Sequence, residues 1–557
     1  MERPWLKSYP RGVAHEIDVN RYSSVNELFD ESVHKYRDRP AFVNMGTEIT
    51  FEDLNYLSAD FASFLQNVAG LKKGDRVAIQ MPNLLQYPIV LFGALRAGLV
   101  VVNTNPLYTA REMKHQFKDS GAKAIVILAN SAHLLQEILP ETDIRTVVVT
   151  GVGDLLGFPK SLLVNSIVKH VKKMVPPYHL PGAYGFYQAL DLGAEASFQP
   201  VRCAPEDLAF LQYTGGTTGV SKGAMLTHRN ILANMLQIAE WMKPSLEMGQ
   251  EVAILALPLY HIFSLTVNAL AMMYYGATNL MITNPRDIPA FIKTLRRNRF
   301  TLFPALNTLY TALMNHPDFD KIDFSHLKVS VAGGMALQRP VAEAWKKRTQ
   351  TLIVEGYGLT ETSPVASCNP IDGTDKIGTI GIPLPSTDIK LVKEDGHEAS
   401  LGDAGEICIK GPQVMKGYWQ RPEETAKILS SDGWLATGDV GVMDADGFIK
   451  IVDRKKDMIL VSGFNVYPNE IEEVVVAHPK VLEAAAIGVP DPHSTEAVKV
   501  FVVPKDTSLT KDEILAHCKQ NLTGYKVPRF VEFRQELPKT NVGKVLRREL
   551  RDQELKA

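Results

Sequence analysis

The sequence predicts a mixed α/β and α+β protein, and three observations lead to that prediction. Its 557 residues exceed the ~250–300 that one hydrophobic core usually reaches. Short β-branched segments alternate with amphipathic segments over most of the chain, which is typical of sheets covered by helices on both faces. After about residue 375, short strands separated by Gly and Asp turns replace this alternation. We expect a large N-terminal domain of two α/β sheets with a small β-rich subdomain, followed by a small α+β C-terminal domain.

The predicted elements follow in chain order. The N-terminal strands are Arg76–Gln80, Val100–Asn103, Ala124–Leu128, Thr146–Thr150, Leu208–Tyr213, Ala253–Leu257 and Leu327–Ala332. Each is a continuous apolar run, as expected of a strand buried on both faces. The β-rich strands are Ile389–Val392, Gly405–Ile409 and Phe448–Val452. The C-terminal elements are a helix at Asn469–Ala477, strands at Ala484–Gly488 and Lys499–Val503, and a helix at Lys511–Asn521.

The predicted domain boundaries follow these changes of pattern. The N-terminal domain is expected to cover residues 1–453, with its β-rich subdomain at about 375–453. A charged linker at 454–456 and a C-terminal domain at 457–557 complete the chain. The last ~100 residues are enough for an independently folded domain.

Composition excludes several classes of protein. The 60 basic and 62 acidic residues give a net charge of −2, so no global attraction to nucleic acid is expected. The four cysteines are Cys203, Cys368, Cys408 and Cys518. They lack metal-ligand spacing and favour a reducing compartment, here the cytoplasm. The start of the chain has no apolar signal core, and residues 88–103 are too short to span a bilayer.

The most informative motif is a loop dense in Gly and Thr. It reads Tyr213-Thr-Gly-Gly-Thr-Thr-Gly-Val-Ser-Lys222 and leads towards a helix near His228. Glycine amides and Thr hydroxyls can converge on an anion, and Lys222 adds positive charge, so the loop predicts a polyphosphate cradle. It does not fit the Walker A pattern. The segment 219–223 fits the GxSxG pattern of hydrolases, but the Gly and Thr richness and the adjacent lysine favour a phosphate loop.

Four further motifs follow in order. They are Gly356-Tyr-Gly-Leu-Thr-Glu361, Thr437-Gly-Asp439, Asp453-Arg-Lys-Lys456 and Pro538-Lys-Thr-Asn-Val-Gly-Lys544. Together with the Gly/Thr loop they resemble the AMP-binding, adenine, ribose, hinge and C-terminal lysine motifs of the adenylate-forming superfamily. The segment 432–456 is similar to the signature of the fatty acyl-CoA synthetases within that superfamily.

The resemblance implies a site for ATP and AMP. Its residues would be Thr214, Gly215, Gly216, Thr217, Thr218, Gly219, Lys222, Gly356, Tyr357, Gly358, Thr360, Asp439, Arg454 and Lys544. Tyr357 would stack on adenine, and Asp439 would accept hydrogen bonds from the ribose hydroxyls. Glu361 would bind Mg²⁺, which takes few protein carboxylates together with phosphates and water.

The resemblance also implies two half-reactions in one site. A carboxylate would attack the α-phosphorus of ATP and release pyrophosphate, and the thiolate of coenzyme A would then displace AMP. The catalytic residues would be Lys544, Lys222, Arg454 and His261. Lys456 would be the hinge about which the C-terminal domain rotates between the two steps. The rotation would bring the coenzyme A-binding residues Ser462, Gly463 and Phe464 to the acyl-adenylate.

The resemblance implies that the acid is a long-chain fatty acid destined for β-oxidation. The apolar segment 257–276 would line the acyl pocket, with walls formed by His261, Phe263, Gly333 and Gly334. The same apolar pattern is also typical of an ordinary core helix. Two alternatives stay open at this point: a ligase for aryl or medium-chain acids, and a nucleotide-binding protein without catalysis. Intact Lys222, Glu361, Asp439 and Lys544 favour the enzyme.

One segment outside these motifs predicts contact with a membrane. Read as a helix, residues 160–175 place Leu163, Val164, Ile167, Val168, Val171, Met174 and Val175 on one face. The other face would carry Asn165, Ser166, Lys169, His170, Lys172 and Lys173. Helices that lie on anionic lipid have this layout, and so do surface helices packed on a domain. We expect a peripheral contact with the cytoplasmic face of the inner membrane and leave a homodimer open.

Overall fold

The fold is built from four β-sheets and the helices that cover them. The computed structural model describes residues 2–214, 221–461, 464–491, 494–540, 543 and 545–554, without the side chains of Arg454, Phe464 and Asn465. The strands of the first half are β1 Pro40–Asn44, β2 Thr47–Thr50, β3 Arg76–Gln80, β4 Val100–Asn103, β5 Ala124–Leu128, β6 Thr146–Thr150, β7 Tyr184–Gly185, β8 Leu208–Thr214, β9 Lys222–Thr227, β10 Val252–Leu255 and β11 Thr278–Met281.

The second half of the chain supplies the remaining strands. They are β12 Leu302–Ala305, β13 Val329–Ala332, β14 Ile353–Gly358, β15 Val365–Cys368, β16 Ile382–Pro383, β17 Asp388–Val392, β18 Ala404–Lys410, β19 Gly417–Tyr418, β20 Leu435–Met443, β21 Ile449–Arg454, β22 Ile459–Val461, β23 Phe464–Val466, β24 Val481–Asp491, β25 Thr495–Pro504 and β26 Phe530–Phe533.

Helices connect most of these strands. They are α1 Val25–Lys35, α2 Phe51–Ser63, α3 Gln86–Arg96, α4 Ala110–Ser120, α5 Ala132–Ile138, α6 Lys160–Ser166, α7 Phe186–Ala194, α8 His228–Met242, α9 Ile262–Ser264, α10 Met272–Tyr275, α11 Ile288–Leu295, α12 Asn307–Met314, α13 Arg339–Thr349, α14 Pro422–Ala426, α15 Pro468–Val476, α16 Lys511–Asn521 and α17 Arg547–Glu554. None of the helices in the described ranges combines the length and hydrophobicity that crossing a bilayer requires.

Two large sheets form most of the N-terminal domain. One has the order β19-β9-β8-β4-β3-β5-β6-β7, and its strands are parallel from β8 to β7. The other has the order β16-β15-β14-β13-β12-β10-β11-β1-β2, with a parallel centre and antiparallel edges. Helices cover both faces, which explains why a strand such as β5 is buried at every residue and reads as a continuous apolar run.

Two smaller sheets follow. The antiparallel sheet β17-β18-β20-β21 forms the β-rich subdomain. The sheet β23-β22-β25-β24, with β26 paired to β25, forms the C-terminal domain. Hydrophobic clusters made of C-terminal residues alone, such as that of Ile471, Val500 and Ile514, give this domain its own core. The predicted fold class is therefore confirmed.

Three local predictions are wrong. Lys222 does not lie in the Gly/Thr loop, because it begins β9, whereas the helix predicted near His228 is present as α8. The segment 257–276 is not one regular helix, since α9 continues as a π-helical stretch, Leu265–Ala271, before α10. The helix predicted at 160–175 is shorter than expected: it consists of α6 and a π-helical turn, Ile167–Val171, and ends there.

Candidate active site

A cavity of about 1440 Å³ gathers the motifs into one place. The predicted site residues that line it are Thr214, Lys222, His261, Phe263, Gly333, Gly334, Gly356, Tyr357, Gly358, Thr360, Glu361, Asp439 and Lys456. They come from both large sheets, from the β-rich subdomain and from the hinge. The cavity thus joins a nucleotide motif, an apolar pocket motif and the start of the C-terminal domain.

Several predicted residues lie outside the described residues. They are Gly215, Gly216, Thr217, Thr218, Gly219, Ser462, Gly463 and Lys544, together with the side chains of Arg454 and Phe464. Their roles stay predictions.

The two ends of the Gly/Thr loop are fixed side by side. Strands β8 and β9 are antiparallel, and Thr214 lies opposite Lys222 in their register. Lys222 Nζ lies 2.5 Å from a carboxylate oxygen of Glu424 in α14 and 5.1 Å from the ring centre of Tyr418. The hydrogen bond from Lys222 lowers the pKa of Glu424 to about 2, so the carboxylate stays ionised beside it. The lysine is thereby held at the edge of the cavity.

Tyr357 and Asp439 are directly linked. The Tyr357 hydroxyl donates a hydrogen bond of 2.6 Å to Asp439 Oδ2. The Asp439 carboxyl is buried, and its backbone N–H donates to Thr437 Oγ1 at 3.0 Å. Strand pairing places Arg454 opposite Asp439 in β21. The predicted adenine, ribose and hinge residues are therefore neighbours.

The glycine that follows Tyr357 has a packing role. A Cβ placed on Gly358 would lie 1.8 Å from the carbonyl oxygen of Pro364. Only glycine allows this close approach between β14 and the turn after Glu361. The resulting bend sets the path of the chain into the Thr360–Thr362 turn that carries Glu361.

Glu361 accepts a hydrogen bond from a tyrosine that the motifs did not single out. Tyr418 Oη donates to Glu361 Oε1 at 2.6 Å. Burial raises the pKa of Tyr418, so its hydroxyl remains a proton donor. Tyr418 lies opposite Ala224 in the pairing of β19 with β9, which the sequence could not reveal because β19 has only two residues.

The carboxyl of Glu361 suits magnesium. The described side chains contain no cluster of three or more acidic, His or Cys residues that would hold a metal by itself. Mg²⁺ keeps several waters and is usually held by one or two carboxylates together with substrate phosphates. A single carboxylate in the same cavity as Thr214 and Lys222, the two ends of the predicted phosphate loop, fits that requirement.

The residues predicted to form the acyl pocket also meet in the cavity. A Cβ placed on Gly333 would lie 3.0 Å from Phe263 Cε1, so the ring packs over the glycine. His261 Nδ1 accepts a hydrogen bond of 3.3 Å from Phe263 N, which fixes the start of α9. Further apolar lining residues, which the sequence analysis missed, are Ile238, Trp241, Met242, Val267 and Leu384. They come from elements far apart in the chain.

Described residues of the C-terminal domain also line the cavity, among them Lys539, Thr540 and Val545. Residues Lys539 and Val545 form an antiparallel bridge at the base of the loop between them. A Cβ on Gly543 would lie 3.1 Å from Thr308 Oγ1 and 3.7 Å from Leu306, and Leu306 lines the cavity. The residue immediately before Lys544 therefore touches the N-terminal domain at the cavity.

An ion-pair network holds the C-terminal domain at the hinge. Asp453, fully buried near the end of β21, accepts a hydrogen bond of 2.8 Å from Asn469 N. Arg547 Nη1 lies 3.6 Å from Asp453 and 3.4 Å from Asp457. Its Nη2 pairs with Glu472 at 2.7 Å. Asp453 belongs to the β-rich sheet and its partners to the C-terminal domain, so these contacts stabilise the present domain orientation.

Comparison with known proteins decides the family. A profile described as AMP-binding enzyme matches residues 29–419, and one described as AMP-binding enzyme C-terminal domain matches residues 470–544. This chain belongs to the AMP-binding enzyme family. The resemblance drawn from the five motifs is confirmed.

The relatives of this AMP-binding enzyme match it over its full length. A long-chain-fatty-acid–CoA ligase of Escherichia coli O157:H7 is 56% identical over 99% of this chain and 98% of its own length. A long-chain-fatty-acid–CoA ligase of Yersinia pestis is 56% identical over 100% of this chain and 99% of its own. The crystal structure of ATP-bound MatB from Rhodopseudomonas palustris has a TM-score of 0.82 at 29% identity, covering 95% of this chain and 99% of that one.

The AMP-binding enzyme also contains a buried carboxyl group that the motifs did not predict as functional. Glu355 lies in β14 immediately before Gly356, and its Oε1 accepts a hydrogen bond of 3.2 Å from Leu337 N. Burial raises the pKa of Glu355 to about 8 from an ordinary 4.5. The side chain is therefore protonated at neutral pH in the folded enzyme and ionised in the unfolded chain.

We expect this carboxyl to make stability fall as pH rises. Between the unfolded pKa of 4.5 and the folded pKa of about 8, the folded state binds the extra proton. Glu355→Gln removes that proton uptake, so its free energy of unfolding relative to wild type should rise by about 2 kcal/mol between about pH 6 and about pH 8. Denaturant unfolding at the two pH values measures the difference. Glu343→Gln, at an exposed position of α13, is the control, and a pH-independent difference for Glu355→Gln would contradict the raised pKa.

Proposed function

We propose that this enzyme joins long-chain fatty acids to coenzyme A through an acyl-adenylate. One observation carries the proposal: a single cavity contains the nucleotide residues Lys222, Tyr357 and Asp439 and an apolar lining around Phe263 and Trp241. A fatty acid places its chain in an apolar pocket and its carboxylate beside ATP, and this cavity offers both environments. The 56% sequence identity to long-chain-fatty-acid–CoA ligases, over nearly the full length of both chains, supports the same assignment.

In the first half-reaction a carboxylate oxygen attacks the α-phosphorus of ATP. The new P–O bond forms as the bond to pyrophosphate breaks, so the acid gains AMP as its leaving group. Two anions must approach each other, and the site has to offset their repulsion. We assign that task to Lys222, the loop amides, Arg454 and Lys544. Asp439 would accept hydrogen bonds from the ribose, and the ring of Tyr357 would pack against adenine.

Magnesium would be held by Glu361 together with the phosphates. When bound, it neutralises charge on the phosphate oxygens. The hydroxyl of Tyr418 orients the Glu361 carboxylate from the protein side, at 2.6 Å.

In the second half-reaction the thiolate of coenzyme A attacks the acyl carbonyl and AMP leaves. We propose that the C-terminal domain rotates about Lys456 before this step, because C-terminal residues such as Thr540 and Val545 line the cavity in the present orientation. Rotation would withdraw Lys544 and bring Ser462, Gly463 and Phe464 to the acyl-adenylate. Rotation also requires the contacts of Asp453 with Asn469 and Arg547 to break.

Acid-dependent exchange of labelled pyrophosphate into ATP tests the proposed function. With hexadecanoate, octanoate and benzoate as substrates, we expect the highest kcat/KM for hexadecanoate. Each additional buried methylene contributes ~0.8 kcal/mol, which is about fourfold in kcat/KM. Exchange with benzoate but not hexadecanoate would instead assign an aryl-acid ligase. Absence of exchange with every acid would assign a nucleotide-binding protein without catalysis.

We propose that the product supplies β-oxidation in the cytoplasm and that the enzyme works at the inner membrane surface. Long-chain acids partition into bilayers, so an enzyme that contacts the bilayer peripherally meets a higher concentration of substrate. A homodimer is compatible with this arrangement and is tested by the mass of the enzyme in solution.

A further inference from the structure

Exposed apolar side chains are concentrated on one surface around α6. Phe158 is 86% exposed, Val171 73% and Leu162 64%, and Leu163 and Met174 are exposed beside them. We call these five residues the 158–174 surface. No residue of α6 or of the π-helical turn after it is buried. Single exposed apolar residues are ordinary, but a concentration of large ones marks an interaction surface.

The segment that carries the 158–174 surface has charges of one sign along its sequence, although Asp154 and the exposed Glu48 lie next to it. The sequence contains no Asp or Glu between Asp154 and Asp191, although the whole chain has a net charge of −2. The same stretch contains four lysines, and Lys169, Lys172 and Lys173 are exposed. A positive surface with an apolar centre is complementary to an anionic partner that also accepts hydrocarbon.

Hydrogen bonds fix the orientation of this surface. Asn165, which the sequence placed on the solvent face, points inwards: its Oδ1 accepts from Gly153 N and its Nδ2 donates to Asp154 Oδ1, both at 2.8 Å. Lys160 Nζ donates to the carbonyl of Met45. Helix α6 is therefore held with Asn165 towards the domain and with Leu162 and Leu163 towards solvent. The apolar side chains are presented without any rearrangement of the backbone.

We infer that the 158–174 surface binds an anionic lipid bilayer, with its apolar side chains among the acyl chains and its lysines at the headgroups. Interfacial helices bind in this way, through buried apolar area together with attraction of Lys to anionic lipid. The 36 consecutive positions 155–190 combine exposed apolar side chains with lysines and contain no acidic side chain. Interfacial helices that lie on anionic lipid have this composition, and we therefore assign the surface to a lipid bilayer rather than to a protein partner. The inference rests on the proposed function for the nature of the substrate, because a long-chain acid would be collected from the same bilayer.

Co-sedimentation of the full-length enzyme with vesicles tests the inference without turnover. The vesicles contain phosphatidylethanolamine with phosphatidylglycerol, and phosphatidylcholine alone serves as the neutral comparison. Wild type should bind the anionic vesicles in a salt-sensitive way. The triple variant Lys169→Glu, Lys172→Glu, Lys173→Glu should lose roughly 100-fold in partition coefficient, since each lysine near the surface contributes about a fivefold factor. Phe158→Ser with Leu162→Ser and Leu163→Ser should also lose binding, at all salt concentrations.

Matched control variants distinguish a loss of binding at this surface from a general effect of net charge or of exposed apolar area. Lys505→Glu, Lys511→Glu and Lys519→Glu change the net charge equally in the C-terminal domain, and Leu401→Ser with Leu482→Ser removes exposed apolar side chains elsewhere. These controls should bind like wild type. Equal binding by all proteins, loss in the lysine control, or no binding by wild type would overturn the inference. A concentration-dependent dimer in gel filtration that only the Phe158/Leu162/Leu163 variant abolishes, without lipid binding, would assign the surface to a second copy instead. Pyrophosphate exchange with hexadecanoate in solution is measured separately, so failure of the proposed function is distinguished from failure of the lipid contact.

Discussion

Replacing Lys544 by alanine is expected to lower the rate of adenylation by about 10²–10³-fold, the loss typical of removing one group that stabilises charge in the transition state. The reason is the meeting of two anions at the α-phosphorus, which Lys544 would bridge. A Cβ built on Gly543, the residue before Lys544, would lie 3.1 Å from Thr308 Oγ1 and 3.7 Å from Leu306, which lines the cavity. Acid-dependent pyrophosphate exchange measures this half-reaction.

The same variant should form thioester normally from supplied acyl-adenylate, within about twofold of wild type, because Lys544 is assigned to only one of the two domain orientations. The control is Lys505→Ala, an exposed lysine of the same domain. Equal losses in both half-reactions would contradict the assignment of Lys544 to adenylation alone.

Replacing Lys456 by proline is expected to give the reverse of the Lys544→Ala pattern: adenylation is retained and thioester formation is lost. Proline fixes φ near −65°, so the chain loses the torsional change that rotation needs. Pyrophosphate exchange should remain measurable, while transfer to coenzyme A from supplied acyl-adenylate should fall by about 100-fold, as expected when the second orientation is disfavoured by ~3 kcal/mol.

Lys456→Ala removes the same side chain and leaves the backbone free, so it separates the hinge role from any contact of the lysine itself. Alanine should retain most of the transfer rate. A proline variant with a normal overall rate, or an alanine variant as slow as the proline variant, would remove Lys456 from the hinge.

The fold could be predicted from the sequence wherever local pattern and burial agree. Strands β3 and β5 and helix α16 begin and end where their apolar runs and caps predict. These elements are either buried on both faces or closed by a capping box such as that of Thr510 with Glu513, so neighbouring residues alone determine them. Strand order across the sheets is not contained in such local patterns.

Of the candidate site, the sequence predicted only the residues that belong to motifs. The Gly/Thr loop pointed to Thr214 and Lys222, and the resemblance of the later motifs pointed to Glu361 and Asp439. The structure lines one cavity with all four residues, while their roles stay predictions. The contacts of Lys222 with Glu424 and of Glu361 with Tyr418 join residues 202 and 57 positions apart, and no local pattern encodes them. The inward orientation of Asn165 was missed for a related reason: helical periodicity assigns polar residues to solvent, whereas Asp154 and Gly153 supply a polar partner on the domain side.

The acyl-adenylate is the central claim, and an isotope measurement tests it most directly. Wild-type enzyme is given hexadecanoate labelled with ¹⁸O in both carboxylate oxygens, together with ATP, magnesium and coenzyme A, and the nucleotide and phosphate products are analysed by mass spectrometry. If the carboxylate attacks the α-phosphorus, one ¹⁸O atom appears in AMP and none in pyrophosphate. Label in inorganic phosphate with ADP as the nucleotide product, or AMP without label, would contradict the account.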